Sequence, residues 1–251
     1  MPGMIDSLRI VLVGTQHPGN IGSAARAMKT MGLSRLSLVA PLRFPDFEAV
    51  RLAAGADDLL EAAEVHPTLE SAIADCRLVI ATTARRRTVP MPELMPREAA
   101  ERLVAAQGHG EVALVFGRER TGLENDELQL CHASVSIPAN PEYSSLNLAA
   151  AVQVLAYELR MAALAAAPVA TAVAAPDPEE LPARQEEMER FFTHLWSLLD
   201  DIDFHKGRAP EMVVQRLRRF FLRAQPDPRE LRIFRGIFSD TQRLLRLSQK
   251  P

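Results

Sequence analysis

Two apolar runs of strand length, followed by one long Ala-rich run of helical length, make Glu111–Arg160 the stretch that most restricts the fold. Val112–Phe116 is uninterruptedly apolar, as strands buried on both faces of a parallel sheet are. It ends at Gly117, and GRERTG then forms a loop bounded by two residues, Gly117 and Gly122, that tolerate positive φ. An amphipathic piece, Leu123–Leu130, leads to a second apolar strand over Ala133–Ile137. Pro138 and Pro141 break the chain again. Ser144 and Ser145 then stand as caps for a helix from Leu146 to Met161. That helix is apolar on most sides, so it is expected to be buried, in part against another subunit. Two βα units in this order place two loops side by side at the carboxyl ends of adjacent strands. Open parallel sheets bind ligands there.

The upstream sequence repeats the alternation. Arg9–Val13 reads as a strand, a turn-rich GTQHPGN follows, and a helix runs from Ile21 to Met31 before Gly32. A dinucleotide-binding fingerprint fails on spacing, since GTQHPGNIG holds no GxGxxG, and a P-loop fails for want of Gly-Lys-Ser/Thr. Leu36–Ala40 and Leu78–Ala81 are further strands, with helical pieces at Asp46–Ala54 and Asp57–Glu64 and a Thr68-capped helix through Ala74. The basic run Arg85-Arg86-Arg87 follows the strand end Thr82-Thr83-Ala84, where phosphate contacts would be useful. Another helix spans Arg97–Ala106.

Beyond the long helix, residues 165–182 are Ala- and Pro-rich and read as a linker between a first domain, 1–164, and a helical extension, 183–251. The extension holds three helical patterns, Ala183–Leu199, Glu211–Leu222 and Arg229–Leu247. Net charge is only -3, yet the extension carries 14 Lys and Arg against 10 Asp and Glu, while the remainder carries 15 against 22. Arginines interleave with phenylalanines in RLRRFFLR at Arg216–Arg223, and Arg216 and Arg219 are candidate phosphate contacts, whereas the phenylalanines read as core. Cys76 and Cys131 stand beside apolar strands as buried thiols, too few for a disulfide framework or a zinc site. The charge-free run Met161–Pro176 is short for a bilayer and broken by Pro168, and Met1–Ile10 lacks the pattern of a leader, so a cytoplasmic protein without membrane contact is expected.

HPGNIGSAARAMKTMGL, FGRERTGL and IPANPEYSSLNLAAAVQ occur in this order and, over Leu8–Leu164, resemble the three signature motifs of the SPOUT-superfamily RNA methyltransferases. Within them the chain most resembles the TrmJ-type tRNA ribose 2′-O-methyltransferases, and its tail resembles their C-terminal extension. The resemblance implies an α/β fold, a parallel sheet with a C-terminal trefoil knot, assembled as a homodimer. It implies S-adenosylmethionine as cofactor, no metal, and tRNA as substrate, methylated on the ribose of cytidine or uridine at nucleotide 32. Cofactor contacts would come from Thr82, Thr83, Ala84, Gly117, Ile137, Ser144, Ser145 and Leu146, largely through backbone groups. Arg26 matches the arginine tied to catalysis, and Asn20, Glu119, Ser145 and Asn147 match polar positions of the site. A guanidinium stays protonated, so Arg26 is expected to stabilise the alkoxide forming at the 2′-oxygen or to clamp the next phosphate, with Glu119 as an alternative proton acceptor. Arg85 and Arg87 would touch RNA. Other readings are a ribose methyltransferase of ribosomal RNA or of another tRNA nucleotide, and a non-catalytic knotted RNA-binding module.

Overall fold

A computed structural model describes residues 5–84, 91–166, 177, 179–204, 206 and 210–248. The chain divides into two compact units, Met1–Ala172 and Val173–Pro251.

The first unit is an all-parallel sheet with helices on both faces. In chain order it runs β1 (Leu8–Val13), α1 (Pro18–Thr30), β2 (Arg35–Val39), α2 (Phe47–Ala53), α3 (Asp57–Glu61), β3 (Glu64–His66), α4 (Leu69–Ala72) and β4 (Leu78–Thr82). It continues with β5 (Glu93–Leu94), α5 (Pro96–Gln107), β6 (Val112–Phe116), α6 (Asn125–Gln129), β7 (Ala133–Val135) and α7 (Leu148–Ala166). The seven strands lie in the order β3-β2-β1-β6-β4-β7-β5. The apolar runs of the central strands are continuous because both faces are covered. Leu8, Ile10 and Leu12 of β1 join Leu114 and Phe116 of β6 in one layer with α1, α5 and α7, while Val11, Val13, Ala113 and Val115 face α4 and α6. Cys76 and Cys131 are buried thiols in the second layer, and burial pushes the Cys76 thiol up to about 12. At the amino end of the sheet the buried Arg9 is held by Asp75, Glu111 and the Ala72 carbonyl.

The strand order corrects one expectation. β6 and β7 are not neighbours, because β4 lies between them and pairs with both. Three loops, not two, therefore converge at the carboxyl edge. β3 and β5 have no counterpart among the strands expected from sequence. They have three and two residues, no apolar run, and exist as edge pairings to β2 and β7. The long helix also starts later than expected. Ser144 and Ser145 do not cap it; Asn147 does, its Oδ1 accepting from the Ala149 N–H at 2.9 Å. By length and composition alone α7 could cross a bilayer, but it packs on α1 and α5 as part of the sheet's helical layer.

Helix α1 begins with Pro18 in its first turn, ahead of the expected start at Ile21. Its small residues serve α2: a Cβ on Gly22 would overlap the Ala49 carbonyl, and one on Gly19 would meet the Leu52 side chain at 2.7 Å. Gly22→Ala gains about 1 kcal/mol of helix propensity. Forcing two backbones apart costs about 1–3 kcal/mol. A net loss is expected, read as a lower denaturation midpoint in urea; a rise would mean that the α1–α2 contact is soft.

The second unit has three helices among its described residues, α8 (Gln185–Asp201), α9 (Glu211–Ala224) and α10 (Pro228–Ser248). Phe191, Phe192, Leu195, Phe221, Leu222, Leu231 and Phe238 form its core. Trp196 stacks on Phe192 with ring centroids 5.7 Å apart, and the Arg218 guanidinium lies 4.5 Å from the Phe192 centroid. Phe220 departs from the core reading, being 54% exposed.

Candidate active site

The loops after β4, β6 and β7 line one open cleft. Thr82, Thr83 and Ala84 come from the first, Gly117 to Leu123 from the second, and Ile137, Ser144, Ser145 and Leu146 from the third. All eight residues expected to contact a cofactor thus line one cavity. Phe116, Val135, Leu148 and Ala151 give it an apolar floor. Thr82 Oγ1 is occupied, donating to the Val115 carbonyl at 3.0 Å, and the Thr83 N–H donates to the Val135 carbonyl, so these residues stitch the three strand ends together. The backbone N–H groups of Ser144, Ser145 and Leu146, by contrast, donate to no other described residue. A wall whose backbone donors no described residue takes up, with an apolar floor, fits a nucleoside bearing a polar amino-acid chain.

The Gly117–Gly122 loop closes on itself. Arg118 and Gly122 exchange backbone bonds, N–H to O, at 3.3 and 2.9 Å. Gly122 takes φ +70, as a turn of this kind requires. Gly117 is needed for a different reason from the one expected: a Cβ there would overlap the Gly122 carbonyl carbon and the Leu123 nitrogen. Arg118, which is not among the site residues expected from sequence, locks the loop. Its guanidinium makes a two-pronged bond to Glu127 at 3.0 Å on each arm, and those bonds raise its pKa. Glu127 also completes the capping box of α6. The Arg118 stem lies over Gly14, where a Cβ would come within 2.8 Å of Nε. The pairing leaves no trace in spacing that would single it out.

Asn20, Glu119 and Asn147 come together from three distant segments. Glu119 accepts from the backbone N–H of Gln16 at 3.1 Å, from that of His17 at 3.2 Å and from Asn20 Nδ2 at 2.9 Å. Asn147 Nδ2 in turn donates to Asn20 Oδ1 at 3.1 Å. The chain of amides ends at Asn147 Oδ1, the cap of α7. Partial burial opposes ionisation of Glu119, but the bonds from Asn20, Gln16 and His17 outweigh it, and the pKa falls below the usual carboxylate range. Its oxygens are engaged by donors and its basicity is low, so its geometry is that of an orienting group.

His17 contributes its backbone to this network as the residue before α1, and its side chain caps nothing. Among the described residues no group of His, Cys, Asp and Glu is arranged to hold a metal. Arg26 is exposed on the third turn of α1, outside the lining of the cleft, and has no hydrogen-bond or ion-pair partner among the described residues. Ser145 is in the cleft wall. Arg85 and Arg87 lie outside the described residues. Arg216 and Arg219 fall on one side of α9, Arg216 exposed and Arg219 half-buried.

Residues 7–157 match the SpoU rRNA Methylase family, and residues 186–250 match the C-terminal domain of the tRNA methyltransferase TrmJ. The tRNA (cytidine/uridine-2'-O-)-methyltransferase TrmJ of Yersinia enterocolitica is 51% identical over 96% of this chain and 93% of its own. The crystal structure of TrmJ from Z. mobilis ZM4 aligns with a TM-score of 0.79 at 38% identity, covering 92% of this chain and 97% of that one. A structure concerned with the 2-OH methylation of C/U34 on tRNA aligns at 0.52 and 27% identity, over 63% of this chain and 97% of its own. With the parallel sheet, the cleft at its carboxyl edge and both sequence matches agreeing, the chain belongs to the SpoU methylase family, in its TrmJ branch.

Proposed function

We propose that this protein transfers a methyl group from S-adenosylmethionine to a ribose 2′-oxygen of tRNA, at nucleotide 32 of the anticodon loop, on cytidine or uridine. The observation that carries the reading is the convergence of all eight expected cofactor residues on one cleft, beside the Glu119–Asn20–Asn147 network.

When bound, the cofactor supplies an activated methyl group on a sulfonium, with no need of a metal or a covalent nucleophile. The chain's own residues have two tasks. One is to hold the 2′-oxygen in line with that methyl, which converts an encounter into an oriented step. The closed Gly117–Gly122 loop and the capped start of α7 provide fixed walls for this. The other is to stabilise negative charge as the weakly acidic hydroxyl loses its proton. Arg26, always protonated and free of a partner among the described residues, suits alkoxide stabilisation or a clamp on the adjacent phosphate. Glu119, held ionised by four donated bonds from three groups, keeps the loop after β1 against the loop after β6. Ser145 would orient the ribose from the cleft wall.

The working form is a homodimer. Val154, Tyr157, Met161 and Leu164 make an exposed apolar stripe along α7, each at least 37% exposed, and a second copy covering it supplies the burial such a stripe calls for. The trefoil threading of the family belongs to the same proposal. So do a catalytic domain over 1–164, a linker over 165–182 and a helical extension over 183–251. RNA contacts by Arg85, Arg87, Arg216 and Arg219, and a cytoplasmic location, complete it.

A second reading, methylation of nucleotide 34, is favoured by the likeness to the C/U34 structure. The TrmJ C-terminal match over 186–250 weighs toward the first. The test is methyl transfer from labelled S-adenosylmethionine to unmodified tRNA transcripts, mapped by nuclease digestion and mass spectrometry. A 2′-O-methyl group at nucleotide 32 is the expected product. One at nucleotide 34 supports the second reading, and cofactor and RNA binding without transfer would leave only an RNA-binding module.

A further inference from the structure

Helix α10 carries five arginines, Arg229, Arg232, Arg235, Arg243 and Arg246. At roughly 100° per residue they fall within about a third of the helix circumference. Leu231 and Phe238 face the core on another side, so this stripe is not a packing surface. Its first two members are covered by the chain itself. Arg229 reaches Asp177 at 2.7 Å, Glu179 at 3.3 Å and Glu180 at 3.5 Å, and Arg232 forms a two-pronged pair with Glu179. Three carboxylates thus meet two guanidiniums, and every one of these side chains is between 42% and 66% exposed.

Two anchors fix the geometry. The Ala183 N–H donates to the Pro226 carbonyl at 2.8 Å, which ties the end of the acidic segment to the start of α10. Asp227 and Glu230 cap that start reciprocally. The acidic turn is itself held locally, the Glu179 N–H donating to Asp177 Oδ1 at 3.0 Å and the Glu180 N–H to the Asp177 carbonyl at 2.9 Å, and its carboxylates meet the guanidiniums as phosphate oxygens would. Exposed ion pairs are individually weak and screened by salt, so polyphosphate can displace them. Two-pronged arginine bonds serve carboxylate and phosphate alike.

We infer that the arginine stripe of α10 is an RNA-phosphate surface, and that Asp177, Glu179 and Glu180 occupy its first two arginines as a phosphate stand-in which bound RNA displaces. The inference rests on the proposed role of the helical extension in tRNA binding. Arg216 and Arg219 on α9 carry that role independently.

The test is tRNA affinity of the whole chain at low salt, by filter binding, for the double variant Asp177→Asn, Glu179→Gln. Removing the competitor is expected to tighten binding about three- to tenfold. Adding Arg229→Gln and Arg232→Gln in the same chain is expected to abolish the gain. The control Asp200→Asn, Glu211→Gln changes net charge equally at two other exposed acids of this unit. A gain of the same size in the control, or one that survives loss of the two arginines, would overturn the inference, since it would report only overall charge. Weaker binding with a reduced helical signal would also overturn it, and make the segment a fold clip. Arg216→Ala with Arg219→Ala separates the two levels. If this pair weakens tRNA binding while the acidic variants change nothing, the stand-in fails and the RNA role stands. If neither matters, the RNA role itself fails.

Discussion

Arg26→Ala is expected to lower kcat for methyl transfer by about 10²–10³-fold, the loss typical of removing one group that stabilises developing negative charge. The affinity for S-adenosylmethionine should not change, because Arg26 is absent from the cleft lining. The substitution is well suited to the question. The side chain is exposed and has no partner among the described residues, so nothing internal is broken, and alanine is the best helix former for a position inside α1. Steady-state kinetics then separate the two roles proposed for the guanidinium. A fall in kcat with KM for tRNA unchanged assigns the alkoxide; a rise in KM with kcat unchanged assigns a phosphate clamp that binds ground state and transition state equally. Arg26→Lys keeps the charge and loses the planar fork, so it should recover most activity in the first case and less in the second. Full activity of the alanine variant would remove Arg26 from the mechanism.

Gly117→Ala carries the second large effect, on cofactor binding. The added methyl would overlap backbone atoms of Gly122 and Leu123, which cannot turn aside as a flexible side chain could. The Arg118–Gly122 bridge must open, and the loop that forms one wall of the cleft must move outward. Overpacking of about 1–3 kcal/mol, placed within the binding wall itself, corresponds to a loss of affinity of about 5- to 150-fold. Calorimetric titration with S-adenosylmethionine reads it directly. The fold should largely survive, because the loop is at the edge of the sheet and β6 is complete at Phe116. An unchanged Kd would mean that the loop after β6 does not contact the cofactor.

The strands with nearly unbroken apolar runs, β1, β2, β4 and β6, are readable in the sequence because burial on both faces writes the same pattern in any parallel sheet. The candidate cleft is readable for a related reason: glycines, prolines and small residues at strand ends mark places where backbone must come close. The rest depends on contacts between distant segments. Nothing local in Ala133–Val135 says that β4, which precedes β6 in the chain, will stand between it and β6. Only the pairing of Ile80 with Ala133 and of Leu78 with Val112 shows it. Ser144, Ser145 and Asn147 are all competent caps by residue type. The choice falls on Asn147 because its amide also answers Asn20, which is far away in sequence. Arg118 reads as one more loop arginine until Glu127 is placed opposite it.

The Glu119–Asn20–Asn147 network has a kinetic consequence. Its two side-chain links close sequence separations of 99 and 127 residues. Loops of that size are entropically costly to close before the intervening chain has organised, and topologies rich in such contacts fold slowly. The network is therefore expected to form late, since it needs α1, the β6 loop and α7 in place together. A nascent or partly refolded chain can hold most of its helices and strands and still lack a competent site. Recovery of methyl transfer on refolding is therefore expected to trail recovery of the helical signal.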